Sequence, residues 1–279
     1  MLNMIKADLF RIFKGKGIYV VILFLVFSAF MSAYSLSPLS MGLNLGDGDN
    51  AELYNIEPEY VQKLYDTASL NEARDILQNH ADYSLDVANI AKNNNLYYVF
   101  IALIIFVIGC DFSNKTIKNT ISTNISKSKY YFSKLILALG LGTVLIFLNA
   151  IFCHVANIIL NGNSFSSPIS EMFLIIIKQL PLLYAIISIL VTISVVTRRT
   201  SIYNGITIPM VMVFQLIFLS AVNVLKLPSY LVNYEWETAL TKLCLDPSFT
   251  YLFQTLGLWT VIFVTFVVIG YNNFKARDI

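Results

Sequence analysis

The chain has 279 residues, 57% of them hydrophobic and 13% charged, with a mean hydropathy of +0.68. Soluble domains hold about 45–50% apolar and about 25% charged residues, so the composition excludes an ordinary water-soluble globule and predicts a chain whose solvent is largely lipid. A formal net charge of +2 leaves no electrostatic footprint for nucleic acid.

The opening segment, residues 1–17, sets Leu2, Ile5, Leu9, Ile12 and Phe13 at helical spacing, with Lys6, Lys14 and Lys16 largely elsewhere. This predicts an amphipathic helix lying on a membrane leaflet, with Gly15 and Gly17 allowing a bend into the first span. Six apolar runs follow: Ile18–Leu36, Leu96–Cys110, Leu135–Leu160, Met172–Thr197, Gly205–Leu225 and Tyr251–Tyr271. A membrane helix needs about 20 mostly apolar residues, and the dyad alternation of a barrel is absent, so the spans are read as helices. The first run exceeds the about 7–15 residues of a signal-peptide core, and an uncleaved anchor is expected. The expected fold is an all-α polytopic membrane protein, a single transmembrane domain over residues 1–279.

Charge placement gives the orientation. Lys6, Arg11, Lys14 and Lys16 precede the first span against Asp8. Lys115, Lys118, Lys127, Lys129 and Lys134 join the second and third spans against Asp111. Arg198 and Arg199 join the fourth and fifth, and Lys275 and Arg277 follow the sixth. The positive-inside rule puts these segments and both termini in the cytoplasm. Residues 37–95 then form an extracellular insertion, strongly acidic and helical from Glu57 onward, whose charge is read first as solvation. Residues 226–250, with Tyr230, Tyr234 and Trp236 between Pro228 and Pro247, predict a short interfacial helix on, or dipping into, the outer leaflet.

The segment 111–134 is polar and lacks both proline and glycine. Ile117, Ile121 and Ile125 recur every four residues with Thr116, Thr120 and Thr123 between, which predicts a short helix with one aliphatic stripe. Asp111 or Ser113 is the expected cap, and Lys127 and Lys129 are expected near the C-terminal end. Such a stripe suits a groove on another protein. The preceding letters GCDFSNKT, Gly109 to Thr116, fall one residue short of the phosphate-loop pattern G-x-x-x-x-G-K-[ST]. Asn114 replaces the second glycine, Asp111 would repel phosphate, and no strand precedes it, so the match is read as coincidence.

These residues carry a resemblance. The opening segment, and more specifically Asp111, Thr116, Ile117, Lys118, Asn119, Ser126 and Lys127, resemble the permease subunits of bacterial ABC exporters of the type 2 class, and small lysine-rich members resemble bacteriocin- or lantibiotic-immunity permeases. The resemblance covers the layout of the whole chain, and in specific residues about the first 20 and 109–136. It implies that 111–134 holds a cytoplasmic coupling helix that docks on a separate ATPase subunit, with Ile121 and Ile125 on its stripe. It further implies a second permease copy or related permease, a bacterial plasma-membrane location, and no cofactor bound directly, ATP and Mg acting through the partner. The implied substrate is amphipathic, an antimicrobial peptide above all. A non-transport immunity or sensor protein binding a peptide through its extracellular insertion is the alternative.

Few residues suggest chemistry. Lys178 is the one Lys, Arg, Asp or Glu within an apolar run, read either as snorkelling to the headgroups or as part of a pathway. Cys110, Cys153 and Cys244 are too far apart for a framework, and His80 and His154 lack ligand spacing, so no metal site is expected. No Ser-His-Asp set, HExxH motif or intramembrane carboxylate pair is present, and the chain is not read as an enzyme.

Overall fold

The computed structural model describes residues 1–35, 90, 96–114, 116–117, 125–162, 168–244 and 248–276. Among them the regular structure is entirely helical. Helix α1 is Leu2–Lys14 and α2 is Gly17–Ser35. Helix α3, Leu96–Ser113, is α-helical over Leu96–Ile104, widens to a π turn over Ile105–Gly109 and closes as α-helix over Cys110–Ser113. Helices α4 (Lys127–Asn161), α5 (Ile169–Thr197) and α6 (Thr200–Val224) follow. A 3-10 turn over Ser229–Tyr234 leads to the short α7 (Trp236–Cys244), and α8 is Phe249–Ala276. Six of these, α2, α3, α4, α5, α6 and α8, are long and apolar enough to cross a membrane. They match the six runs read from the sequence. The insertion expected at 37–95 lies outside the described residues apart from Ile90.

Helix α5 is the central post. It packs along α8 for most of its length and also meets α3, α4, α6 and α7. Its polar residues turn inward without being orphaned. The Ser188 hydroxyl donates to the Ala185 carbonyl at 2.7 Å, and Thr192 reaches across to the Phe266 carbonyl of α8 at 2.8 Å. Close approach there depends on Gly270 of α8: a Cβ at that position would lie 2.6 Å from the Tyr131 hydroxyl and 2.8 Å from that of Thr192. Small residues at such crossings let membrane helices pack. The α5 helix continues through Pro181.

The outer faces of α2, α6 and α8 expose Leu23, Phe27, Met212, Leu216, Ile217, Val261 and Val264. Apolar faces of this extent are foreign to a water-exposed monomer and suit a lipid surround. The chain is thus a multi-pass membrane protein by its helices.

One expectation changes. The third span begins eight residues before Leu135, at Lys127, where the Ser126 hydroxyl caps it by accepting from the Lys129 amide at 3.3 Å. Lys127 and Lys129 therefore open a helix instead of closing one. A cation at a helix N-terminus opposes the dipole, and Lys127 Nζ instead donates to the Lys275 carbonyl at the end of α8, at 3.2 Å. Helix α7, in the segment expected at an interface, lays one face on the bundle: Trp236, Ala239, Leu240, Leu243 and Cys244 are buried. Gln179 of α5 holds it by donating to the Leu240 carbonyl at 3.2 Å and to Cys244 Sγ at 3.0 Å.

Candidate functional site: a buried ring of charges

At the end of the bundle that carries the chain termini, three helices meet through charged side chains. Asp8 and Arg11 lie one turn apart on α1, Asp111 ends α3, and Tyr130 and Lys134 lie one turn apart on α4. Lys134 Nζ sits 2.7 Å from Asp8 Oδ2 and 2.6 Å from Asp111 Oδ2. Arg11 completes the ring, contacting Asp111 Oδ1 and lying 3.2 Å from Asp8 Oδ1. The Tyr130 hydroxyl donates to Asp111 Oδ2 at 2.7 Å. Two acids and two bases alternate, so the ring is neutral as a whole.

The ring is enclosed. The Lys134 side chain is 4% exposed and that of Asp111 is 6% exposed, while Arg11 at 40% forms the open edge. Burial opposes the charge on Arg11, but its hydrogen bond to Asp111 and the charges of Asp111 and Asp8 outweigh burial and hold its pKa above the ordinary value. The π turn contributes as well: Arg11 also donates to the Phe106 carbonyl there, at 3.4 Å. A π turn leaves backbone groups outside the regular ladder, and such turns gather at functional positions. Gly17 admits the Phe106 ring, whose atoms would lie 2.5 Å from a Cβ at that position.

The residues singled out in the sequence divide. Asp111 is central, but as a buried ion-pair partner and not as an exposed cap of a separate helix. Thr116 supports it, donating to its carbonyl and to Oδ1 at 3.4 Å each. Ile117 is buried in the core and Ile125 packs against it, so both described ends of the aliphatic stripe face the bundle. Ser126 and Lys127 act at the start of α4. Lys118, Asn119 and Ile121 lie outside the described residues. Lys178 is partly buried near the opposite end. Its charge acts on the Cys244 thiol, which burial pushes up to about 12 and which Lys178 draws down. That places it by the C-terminus of α7, where a cation suits the helix dipole.

Asp8, Arg11, Tyr130 and Lys134 were not among the predicted site residues. A signal existed: Asp8 and Asp111 are the lone acids in two otherwise basic segments. The amphipathic stripe of α1 is also divided. Met4, Ile5, Leu9 and Ile12 pack on the bundle beside Asp8, and Leu2, Phe10 and Phe13 point away.

Chemically, the ring is a mechanical joint. It binds α1, the end of α3 and the start of α4 into one unit, immediately on either side of the polar segment 114–126. Displacing any one helix alone would strand a buried charge, which costs about 3–5 kcal/mol. No protein-family model, curated protein or solved structure matches the chain.

Proposed function

We propose that this chain is the membrane-spanning permease subunit of an ATP-driven exporter, placed in a bacterial plasma membrane with both termini cytoplasmic. ATP and Mg act on a separate ATPase subunit that docks on the segment between α3 and α4, and a second permease copy or a related permease completes the pathway. The substrate is amphipathic, an antimicrobial peptide of the lantibiotic kind, and the role is self-protection.

The observation that carries this reading is the charge ring flanking the polar segment. A force applied to residues 114–126 by a partner reaches α1, α3 and α4 together, because buried ion pairs join them. The outward-facing Phe10 and Phe13, beside Lys6 and Lys14, suit the interfacial position given to α1.

Affinity purification of the tagged chain from its native membrane tests it. The expected result is co-purification with an ATPase subunit that carries G-x-x-x-x-G-K-[ST], lost in Lys118→Glu, which reverses a charge on the docking segment. Purification without an ATPase, together with unchanged peptide resistance in Lys118→Glu, would overturn the reading and favour a non-transport immunity protein.

A further inference from the structure

Helix α1 has two faces, and the ring accounts for one of them. Met4, Ile5, Leu9 and Ile12 pack on the bundle beside Asp8. The other face exposes Leu2, Phe10 and Phe13, with Phe10 the most open at 68%. Lys6 and Lys14 are exposed among them, and Lys16 follows in the bend to α2. Lys14 Nζ sits 5.6 Å from the centroid of the Phe10 ring one turn earlier, so cation and aromatic share the outer face. Asp8 is the single acid of α1, and it is turned inward and paired in the ring. The outer face therefore carries cations and apolar side chains and no acid.

The chain itself sets the depth of that face. The bend at Gly15 leads straight into α2, whose apolar run begins at Ile18. The Tyr19 hydroxyl of α2 donates to the Phe13 carbonyl at 3.1 Å, which ties the last turn of α1 to the first turn of the span. Along α2 the exposed side continues through Tyr19, Val20 and Leu23, a surface that suits lipid on a helix long and apolar enough to cross a membrane. The Phe13 end of α1 thus sits where hydrocarbon gives way to headgroups, at whichever surface α2 enters.

We propose that the outer face of α1 is a docking surface for anionic lipid headgroups, and that lipid charge seats the helix that carries Asp8 and Arg11 into the ring. Two features select this occupant. An anionic headgroup layer attracts an exposed lysine by about fivefold in affinity, and a zwitterionic one offers no net charge to Lys6, Lys14 and Lys16. A soluble anion would use the lysines alone, whereas Phe10 and Phe13, continuous with the lipid face of α2, suit the acyl chains that accompany a headgroup.

Lipid that binds the seated form better than the displaced one stabilises it, so thermal unfolding reads the effect. Full-length protein is compared in nanodiscs of phosphatidylcholine alone and of equal parts phosphatidylcholine and phosphatidylglycerol. The parent is expected to unfold later in the mixed lipid, by a margin that shrinks as salt screens the headgroups. The combined Lys6→Gln, Lys14→Gln, Lys16→Gln variant should lose that margin while keeping the parent midpoint in phosphatidylcholine, which shows that it folds. The corresponding Lys→Arg variant should retain the margin, separating charge from packing. Equal parent midpoints in the two lipids, or a margin that survives in the Gln variant, would overturn the proposal. Survival of the margin together with loss of ATPase co-purification would assign the face to a protein partner instead. The nanodisc comparison uses no ATPase, so its failure is distinct from failure of the transport reading.

Discussion

Lys134 is the residue on which the terminal end of the bundle depends most. It is nearly fully buried, pairs with two acids on two other helices, and its ammonium lies 5.3 Å from the Tyr130 ring centroid. Lys134→Met is predicted to destabilise the protein by about 3–5 kcal/mol, because Asp8 and Asp111 would then share only Arg11. Asp111→Asn combined with Lys134→Met removes one acid and one base and leaves Asp8 with Arg11. That pair is predicted to cost clearly less than Lys134→Met alone, a non-additivity that thermal unfolding in detergent would read directly. Equal or greater loss in the double variant would show that the ring is not a coupled unit. Tyr130→Phe removes one hydrogen bond to a charged group, and about 1.5–3 kcal/mol should follow in the same assay. These partners were half legible in the sequence. The isolated acids Asp8 and Asp111 stood out among lysines and arginines, but residues 100 apart meet only through the packing of three helices, which no local pattern encodes.

At the scale of elements, the apolar runs located the spans because length and hydropathy are properties of a segment by itself. Their ends were less legible. Lys127–Lys134 read as polar connection, yet these residues are the first two turns of α4, with Tyr130, Tyr131, Ser133 and Lys134 buried against neighbouring helices. Ile117 and Ile125, the described ends of the stripe, both pack on the bundle, and periodicity alone does not say which surface receives a stripe. One helix end and one helix crossing allow sharp predictions. Helix α6 ends with Lys226 in the left-handed region at φ 50°, with the Leu227 amide bonded to the Val222 carbonyl at 2.9 Å. Glycine usually fills that place, and the left-handed conformation costs other residues about 1–2 kcal/mol. Lys226 is exposed, so Lys226→Gly is expected to raise stability by about 1 kcal/mol, seen as a later unfolding midpoint. Gly270→Ala should act oppositely. Its new methyl displaces the Tyr131 and Thr192 hydroxyls from the Val267 and Phe266 carbonyls. Interhelical hydrogen bonds in membranes average about 0.6 kcal/mol each, and the added steric shift should outweigh the better helix propensity of alanine. Unchanged stability in Gly270→Ala would show that the α5–α8 crossing tolerates a wider spacing.

For the whole molecule, the two ends differ in kind. The terminal end is closed by a neutral ring in which every acid has a basic partner. The opposite end is held by α7, where Glu235 Oε1, the Tyr97 hydroxyl and the Trp236 indole N–H are buried without hydrogen-bond partners among the described residues. A bundle whose helices are joined by ion pairs at one end suits a machine driven from that end, which is the central claim of the transport proposal. Reconstitution with the ATPase subunit in lipid vesicles tests that claim most directly, by measuring ATP-dependent uptake of a cationic amphipathic peptide alongside ATP hydrolysis. The account predicts that the Asp111→Asn, Lys134→Met double variant still assembles with the ATPase and hydrolyses ATP but no longer moves peptide. Full peptide transport by that variant would contradict it.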